Sequence, residues 1–206
     1  LENLSTKLSK YLSPRVYESI FTGKQDVVLE SKRKYLTVFF SDIKGFTSLT
    51  DSVETEVLTA LLNEYLDLMS QIVLKYGGTI DKYIGDCIMV FFGDPQSQGI
   101  KTDAIQCVRM AMEMRNQAKQ LGIAIRIGIS SGECTVGNFG SEERMEYTIV
   151  GKVVNAASRL EESSEPGRIL IGSTTYELIK DEILCELRGE IHVRGIERYL
   201  MTYWVT

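Results

Sequence analysis

The spacing of apolar residues divides the chain into an N-terminal arm and a longer, regular remainder. Over residues 1–33, leucines and a valine recur between polar residues, and Pro14 fits the first turn of a second helix. The polar stretch TGKQDVVLESKRK comes next in the chain, after these helices. From Lys34 onward, short apolar runs alternate with helical periodicities. We therefore predict a helical arm over 1–33 and one folded domain over 34–206.

The pattern of apolar and polar residues in this domain predicts the element order β-α-β-β-α-β. The run YLTVFF indicates a buried strand, and the apolar positions from Val57 to Tyr76 follow helical spacing, with Thr50 or Asp51 as its cap. The further predicted elements are two strands joined at Gly85-Asp86, a helix over 103–120, a strand pair within IAIRIGISSGECTVGNFG, a strand at 146–149, helices over 153–163 and 174–180, a strand at 169–171 and two closing strands. This order is typical of an α+β domain with a ferredoxin-like split βαβ sheet.

Composition narrows the class of protein. With 206 residues, 44% of them hydrophobic, the chain can build one sizeable core. A net charge of -5 provides no basic surface, so we expect no nucleic-acid partner. The four cysteines are dispersed and the chain has one histidine, so the spacing typical of zinc ligands is absent. We expect the cysteines to be reduced thiols in a cytosolic environment.

The chain begins at Leu1 and not at Met, which predicts a piece of a longer protein. No window approaches the run of about 20 apolar residues that spans a bilayer. We therefore expect a cytoplasmic domain, whose parent protein could still carry a membrane anchor.

Two aspartates follow apolar runs at positions that the predicted sheet brings together. Asp42 ends the first strand, and Asp86 lies in the turn between the second and third. Adjacent carboxylates repel each other, and Mg²⁺ or Mn²⁺ removes that repulsion. Two such ions about 4 Å apart favour in-line phosphoryl transfer. The alternative for each aspartate is a structural role in its turn.

The loop IKGFT after Asp42 has features of a phosphate-binding segment. Gly45 allows close approach of the backbone, and Phe46 and Thr47 lead toward a helix start, where backbone N–H groups can face a triphosphate. The signal is generic, because the loop is no Walker sequence.

Several segments together resemble one family, the class III nucleotidyl cyclase catalytic domains. The resemblance covers about 34–205 and is carried by FSDIKGFT, GGTIDKYIGDCIMVFFGDP, RIGISSGECTVGNFGSEERMEYTIVGKVVNAASRLE and VRGIERYLMTYWV. It implies a head-to-tail homodimer with active sites at the interface. The arm resembles the segment that precedes such domains in bacterial cyclases, which implies an upstream sensor or membrane module.

The resemblance assigns the metal site and the chemistry. It implies that Asp42, Asp86 and the backbone carbonyl of Ile43 hold two Mg²⁺ or Mn²⁺ ions on one subunit. The 3′-hydroxyl of ATP then attacks the α-phosphorus in line, and pyrophosphate leaves.

Base recognition is assigned to the other subunit. The resemblance places Lys82 at adenine N1, where guanylyl cyclases carry a glutamate, and places Thr148 at the adenine amino group, with Ile149 beside it. A threonine hydroxyl can accept a hydrogen bond from that amino group. Some relatives with this threonine respond to bicarbonate, which makes bicarbonate a candidate effector here.

Asn155 and Arg159 lie four positions apart in the predicted helix and share one face. The resemblance implies that Asn155 orients the ribose or an ordered water and that Arg159 stabilises charge on the α-phosphate, which suits the fork of a guanidinium. Arg194 stands where the family usually has a lysine on the terminal phosphates. The alternative for Asn155 and Arg159 is an exposed polar pair.

The sequence thus predicts an adenylyl cyclase that forms 3′,5′-cyclic AMP. A guanylyl or mixed-specificity cyclase is the first alternative, and Lys82 disfavours it. A catalytically silent nucleotide-binding module is the second, although such relatives commonly lose Asp42, Asp86, Asn155 or Arg159 equivalents. A diguanylate cyclase would need a different Gly-Gly motif from GGTID.

Overall fold

The computed structural model describes residues 2–192 and 199–206. The helices are α1 Glu2–Leu8, α2 Pro14–Phe21, α3 Phe46–Thr50, α4 Thr55–Tyr76, α5 Ile100–Gln120, α6 Lys152–Ser163 and α7 Ser173–Ile179, with a 3-10 turn at Ser9–Tyr11. The strands are β1 Ser31–Ile43, β2 Thr79–Ile84, β3 Cys87–Phe92, β4 Ile125–Gly140, β5 Met145–Val150, β6 Ile169–Gly172, β7 Cys185–His192 and β8 Tyr199–Val205.

The described strands form one sheet, and helices cover it on both faces. The strand order is β2-β3-β1-β4-β6-β8-β7, and β5 pairs with β4 beside this path. Strand β1 lies between β3 and β4 and is antiparallel to both. The predicted α+β class and the β-α-β-β-α-β order are confirmed.

Alternation along β1 separates two apolar layers. Phe39 faces the layer of α4 and α5, with Tyr65 and Met69 fully buried there. Val38 and Phe40 face the opposite layer, which includes residues of β5 and α6. Because successive side chains in a strand point to opposite faces, this all-apolar run fits a strand covered on both sides.

Two details of the sequence prediction are wrong. Helix α4 begins at Thr55 with Glu54 as its N-cap, because Thr50 instead ends the short helix α3. The segment predicted as a strand pair with a glycine turn is one continuous strand, β4, of 16 residues. Three of its glycines, Gly128, Gly137 and Gly140, meet close backbone neighbours: a Cβ on Gly128 would lie 2.0 Å from the backbone nitrogen of Glu161.

Contrary to the sequence prediction, one described helix could span a bilayer by length and composition. Helix α4 is long and apolar enough by length and composition, with a mean hydropathy of 1.3. One side of α4 nevertheless packs into the domain core through Tyr65, Met69, Ile72 and Val73. This packing accounts for one side of α4, whereas Val57, Leu61 and Leu74 of the same helix are exposed.

The arm contacts the domain through α2. Val16 is buried, and Nη2 of Arg15 donates to Oε1 of Gln96 at 2.5 Å. The separation of an arm at 1–33 from a domain at 34–206 stays a prediction. Strand β1 itself begins slightly earlier, at Ser31.

Candidate active site

The two predicted carboxylates meet at one edge of the sheet. Ser41 of β1 pairs with Ile88 of β3, which brings the end of β1 to the turn that contains Asp86. Oδ2 of Asp86 accepts a hydrogen bond from the backbone N–H of Ile43 at 2.9 Å. Burial, a hydrogen bond with Asp42 and repulsion from Asp42 raise the pKa of Asp86 to about 6. The predicted convergence is therefore confirmed.

An arginine that sequence reasoning missed completes this cluster. Arg126 of β4 is the register partner of Asp42, and its Nη2 donates to Oδ2 of Asp42 at 2.8 Å. The same Nη2 lies 3.0 Å from Oε1 of Glu161 on α6, an ion pair without hydrogen-bond geometry. Burial, followed by weaker repulsion from Asp42, raises the pKa of Glu161 to about 7 although Arg126 opposes the shift.

The signal for Arg126 was present but incomplete. A charged residue between isoleucines in IRI marks a strand position that is not simply core. Finding its partner requires the register between β1 and β4, and the sequence interpretation had cut β4 into two strands. Glu161 carried no local signal at all, since it lies in an ordinary helical pattern.

These residues fit the divalent metal that the family resemblance implies. The Asp42 and Asp86 carboxylates lie beside the backbone of Ile43, and the pKa of Asp86 is raised. Oxygen donors of this kind suit Mg²⁺ and Mn²⁺. Within 2–192 and 199–206, no group of three or more His, Cys, Asp or Glu side chains is placed to hold a metal. Mg²⁺ usually binds through one or two carboxylates plus substrate phosphates, so two aspartates suffice for such a site.

The glycine loop lies directly after these ligands. Gly45 has φ +75° and open space around it, and its carbonyl accepts from the N–H of Ser48 at 3.1 Å. Phe46 begins α3 and packs against the main core, whereas Thr47 is exposed. The loop is thus anchored by Phe46, and its glycine occupies a left-handed conformation that other residues adopt at a cost.

The predicted base-recognition residues also meet, at a separate place. Thr148 of β5 donates from Oγ1 to Oδ2 of Asp81 on β2 at 2.6 Å. Nζ of Lys82 lies 3.2 Å from Oε2 of Glu146 and 3.7 Å from Oδ1 of Asp81. Asp81, which sequence reasoning did not single out, therefore joins Lys82 to Thr148.

A cavity of about 580 Å³ adjoins this second cluster. Its walls include Asp81, Lys82 and Glu146 on the domain side. Residues 9–14 of the arm and Val16 line the other side. The arm therefore lies next to the residues predicted to recognise the base.

Two of the predicted substrate-binding residues are Ile149 and Arg194. The Ile149 side chain is buried in the apolar layer of β5 and α6, so only its backbone is available to a ligand. Arg194 lies outside the described residues.

Asn155 and Arg159 are both exposed on α6. Nη1 of Arg159 donates to Oε2 of Glu162 at 2.6 Å, an exposed pair of the kind that contributes about 0–1 kcal/mol. Among the contacts of residues 2–192 and 199–206, no hydrogen bond or ion pair joins Asn155 or Arg159 to Asp42 or Asp86. One chain thus holds the predicted groups in separate places.

The fold agrees with comparisons to known proteins. Residues 28–206 match the family model of the adenylate and guanylate cyclase catalytic domain. The chain therefore belongs to this family and is a class III cyclase catalytic domain.

Individual relatives give the finer picture. The chain is 33% identical to the terminal-differentiation specific adenylate cyclase of Dictyostelium discoideum over 220 aligned residues, which cover 100% of the chain but only 10% of that protein. The adenylyl cyclase CyaB of P. aeruginosa is 55% identical, with a TM-score of 0.85, covering 86% of this chain and 96% of CyaB. The guanylate cyclase domain of RhGC from Catenaria anguillulae, solved with GTP, is 32% identical, with a TM-score of 0.79, covering 85% of this chain and 98% of that one.

Proposed function

We propose that this chain converts ATP to 3′,5′-cyclic AMP and pyrophosphate at sites shared across a homodimer. The observation that carries the proposal is the convergence of Asp42 and Asp86 at one edge of the sheet, where Asp86 accepts a hydrogen bond from the backbone of Ile43. A carboxylate pair at a sheet edge, followed by a glycine loop, suits a metal-bound triphosphate.

Asp42, Asp86 and the carbonyl of Ile43 would hold two Mg²⁺ or Mn²⁺ ions. Such ions, when bound, lower the pKa of the ribose 3′-hydroxyl and neutralise phosphate charge. The chain's own contribution is to hold the ligands in place. Arg126 fixes Asp42, and the backbone of Ile43 fixes Asp86.

The remaining groups bind and orient the triphosphate. The Gly45 loop, with Phe46 and Thr47, offers backbone N–H groups to the phosphates, and Arg126 stands beside Asp42 as a nearby cation. Arg159 of the second subunit would stabilise charge on the α-phosphate as the 3′-oxygen attacks and pyrophosphate departs. Asn155 would orient the ribose, and Arg194 would contact the terminal phosphates.

Nothing in this scheme needs a dedicated protein base. Positioning of the 3′-hydroxyl in line with the leaving pyrophosphate, together with preorganised charge, supplies the catalysis. Arg159 suits this role because its exposed pair with Glu162 is weak enough to exchange for a phosphate.

The fold itself does not choose the nucleotide, because both CyaB, an adenylyl cyclase, and RhGC, a guanylate cyclase, share it. Lys82 favours ATP, since a lysine can donate to adenine N1 but not accept from the N1–H of guanine. The arm, which lines the cavity beside Lys82, is our candidate route for signals from an upstream module.

An activity assay tests the proposal. The chain is incubated with ATP or GTP and with Mn²⁺ or Mg²⁺, and cyclic nucleotide and pyrophosphate are measured. We expect cyclic AMP from the parent chain and at least a hundredfold lower rate from Asp42→Asn, given the scale of lost electrostatic stabilisation. Asp181→Asn is the matched control, because Asp181 is an exposed aspartate in a surface ion pair with Lys101. A chain that binds ATP and forms no cyclic nucleotide would instead support the silent regulatory module.

Nucleotide choice has its own test. Replacing Lys82 by Glu and Thr148 by Cys should raise the rate with GTP and lower the rate with ATP, because the exchanged side chains reverse the donor and acceptor pattern. Rates with both nucleotides are compared at equal enzyme concentration. An unchanged preference for ATP would contradict the assignment of both residues.

A further inference from the structure

The Thr148 hydroxyl alone cannot select a base. A hydroxyl has one O–H donor and two acceptor lone pairs, and it rotates to suit its partner. It could accept from the amino group of adenine or donate to O6 of guanine. Another group must therefore determine whether the Thr148 hydroxyl accepts or donates a hydrogen bond.

The structure places a buried carboxylate on that hydroxyl. Oγ1 of Thr148 lies 2.6 Å from Oδ2 of Asp81, whose side chain is 1% exposed. An ionised carboxylate only accepts hydrogen bonds, so Thr148 is the donor in this contact. Its one proton is thereby used, and only lone pairs remain for a ligand.

A β-bulge explains why Asp81 faces β5. Ile80 pairs with Val90 and Lys82 pairs with Met89, so Asp81 is the extra residue that has no partner in the ladder. Bulges of this kind redirect a side chain and are common beside active sites. The redirected carboxylate reaches Thr148 across the space between β2 and β5.

Three contacts stabilise the charged, accepting form of the Asp81 carboxyl. Burial raises the pKa of Asp81 above its usual value, and the Thr148 hydroxyl, the charge of Lys82 and the backbone N–H of Ile149 limit that rise. Oδ1 of Asp81 has no hydrogen-bond partner and lies 3.7 Å from Nζ of Lys82. The same carboxylate therefore acts on both predicted base-recognition side chains.

We propose that Asp81 is a positioning residue that sets base specificity, by fixing Thr148 as a hydrogen-bond acceptor beside the Lys82 donor. Lys82 as the donor suits N1 of adenine, which accepts, and Thr148 as the acceptor suits the adenine amino group, which donates. In guanine N1–H donates and O6 accepts, so both contacts would be mismatched. This inference rests on the proposed function, because it assigns a role at the nucleotide site of the cyclase.

Asp81→Asn tests the role directly. The asparagine amide keeps the shape of the side chain but can donate to Thr148, which frees the hydroxyl to donate to O6 of guanine. We expect the ratio of kcat/KM for ATP to that for GTP to fall about tenfold, the effect of roughly one hydrogen bond. Asp67→Asn, an exposed aspartate on α4 that accepts from Gln71 at 2.8 Å, should leave the ratio unchanged.

A second background separates positioning from general damage. In Thr148→Val there is no hydroxyl to orient, so adding Asp81→Asn should shift the ratio less than twofold. Asp81→Ser also removes the carboxylate, and it replaces the asparagine variant if that chain does not fold.

The outcomes distinguish the two levels of the proposal. Two results with an active enzyme would overturn the role of Asp81 and leave the proposed function standing. One is an unchanged ratio of kcat/KM for ATP to that for GTP in both Asp81→Asn and Asp81→Ser. The other is a shift in that ratio of equal size with and without the Thr148 hydroxyl. A parent chain that forms no cyclic nucleotide from ATP or GTP overturns the proposed function itself.

Discussion

At the scale of single residues, unfavourable carboxylate environments mark the candidate site. Asp86 and Glu161 have a pKa of about 6 and about 7, in both cases chiefly because of burial. Arg126 forms ion pairs with both Asp42 and Glu161 and balances part of the negative charge. Strongly shifted groups in one place are typical of functional sites, because a fold gains no stability from burying charge that a ligand does not neutralise.

This environment makes stability depend on pH. The folded-state pKa of Asp86 lies above its usual value of 3.8, so the folded chain binds more protons than the unfolded chain between about pH 4 and pH 6. The contribution of Asp86 to stability is therefore present at low pH and lost as pH rises through about 6. Asp86→Asn should raise the melting temperature by a few degrees at pH 8 in EDTA, and by less at pH 5.

Calorimetry or circular dichroism measures this difference. Adding Mn²⁺ at pH 8 should raise the melting temperature of the parent chain and leave Asp86→Asn nearly unchanged, because the ion neutralises the same charge. Asp181→Asn controls for the loss of a surface carboxylate. A variant that is less stable than the parent at both pH values would show that Asp86 has a mainly structural role.

At the scale of elements, the contact between β4 and α6 positions most of the site. Strand β4 carries Arg126, and α6 carries Glu161, Asn155 and Arg159 on different faces. The two elements approach so closely at Gly128 that an added Cβ would lie 2.4 Å from the carbonyl oxygen of Ala157. The glycine is required here by space, not by a turn.

Gly128→Ala should therefore displace α6. We expect a loss of about 1–3 kcal/mol in the free energy of unfolding, as for other overpacked cores, together with loss of cyclase activity. Gly132→Ala in the same strand is the matched control, since its Cβ would meet only Val153, at an ordinary 3.5 Å. The free energies of unfolding of the two variants are measured by urea denaturation. Equal values for Gly128→Ala and Gly132→Ala would contradict the steric argument.

At the scale of the whole molecule, one chain holds the predicted groups in separate places. The metal-binding candidates lie at the edge formed by β1 and the β2–β3 turn, whereas Lys82 and Thr148 are joined through Asp81 elsewhere. Arg159 is exposed on α6 and paired only weakly. A head-to-tail dimer would bring these groups of two chains together, and its two-fold symmetry would form two equivalent sites.

Mixing inactive chains tests this arrangement. Asp42→Ala and Arg159→Ala should each be inactive as homodimers, but a heterodimer would contain one intact site and one doubly mutated site. Random pairing makes about half of the dimers heterodimers, so the mixture should recover about a quarter of the parent activity. Heterodimers are verified with two affinity tags, and verified heterodimers without activity would contradict shared sites.

Much of this protein follows from local sequence. The apolar runs of β1 and β3, the helical spacing of α4 and the glycines at 77–78 identify the elements, because periodicity and turn chemistry act over a few residues. The convergence of Asp42 and Asp86 also follows, since a βαββ unit leaves little choice of where strand ends meet.

Tertiary structure decided the rest. Arg126 finds Asp42 only through the register of β4, and Asp81 finds Thr148 only because a bulge turns it toward a strand 67 residues away in sequence. The 16-residue length of β4 was equally hidden, because its glycines look like turn residues until neighbouring backbone occupies the space. Sequence thus determined which chemical groups the chain possesses and the elements that carry them. Pairing between distant strands determined which of those groups act on one another, because hydrogen-bond register and close packing are properties of the assembled sheet.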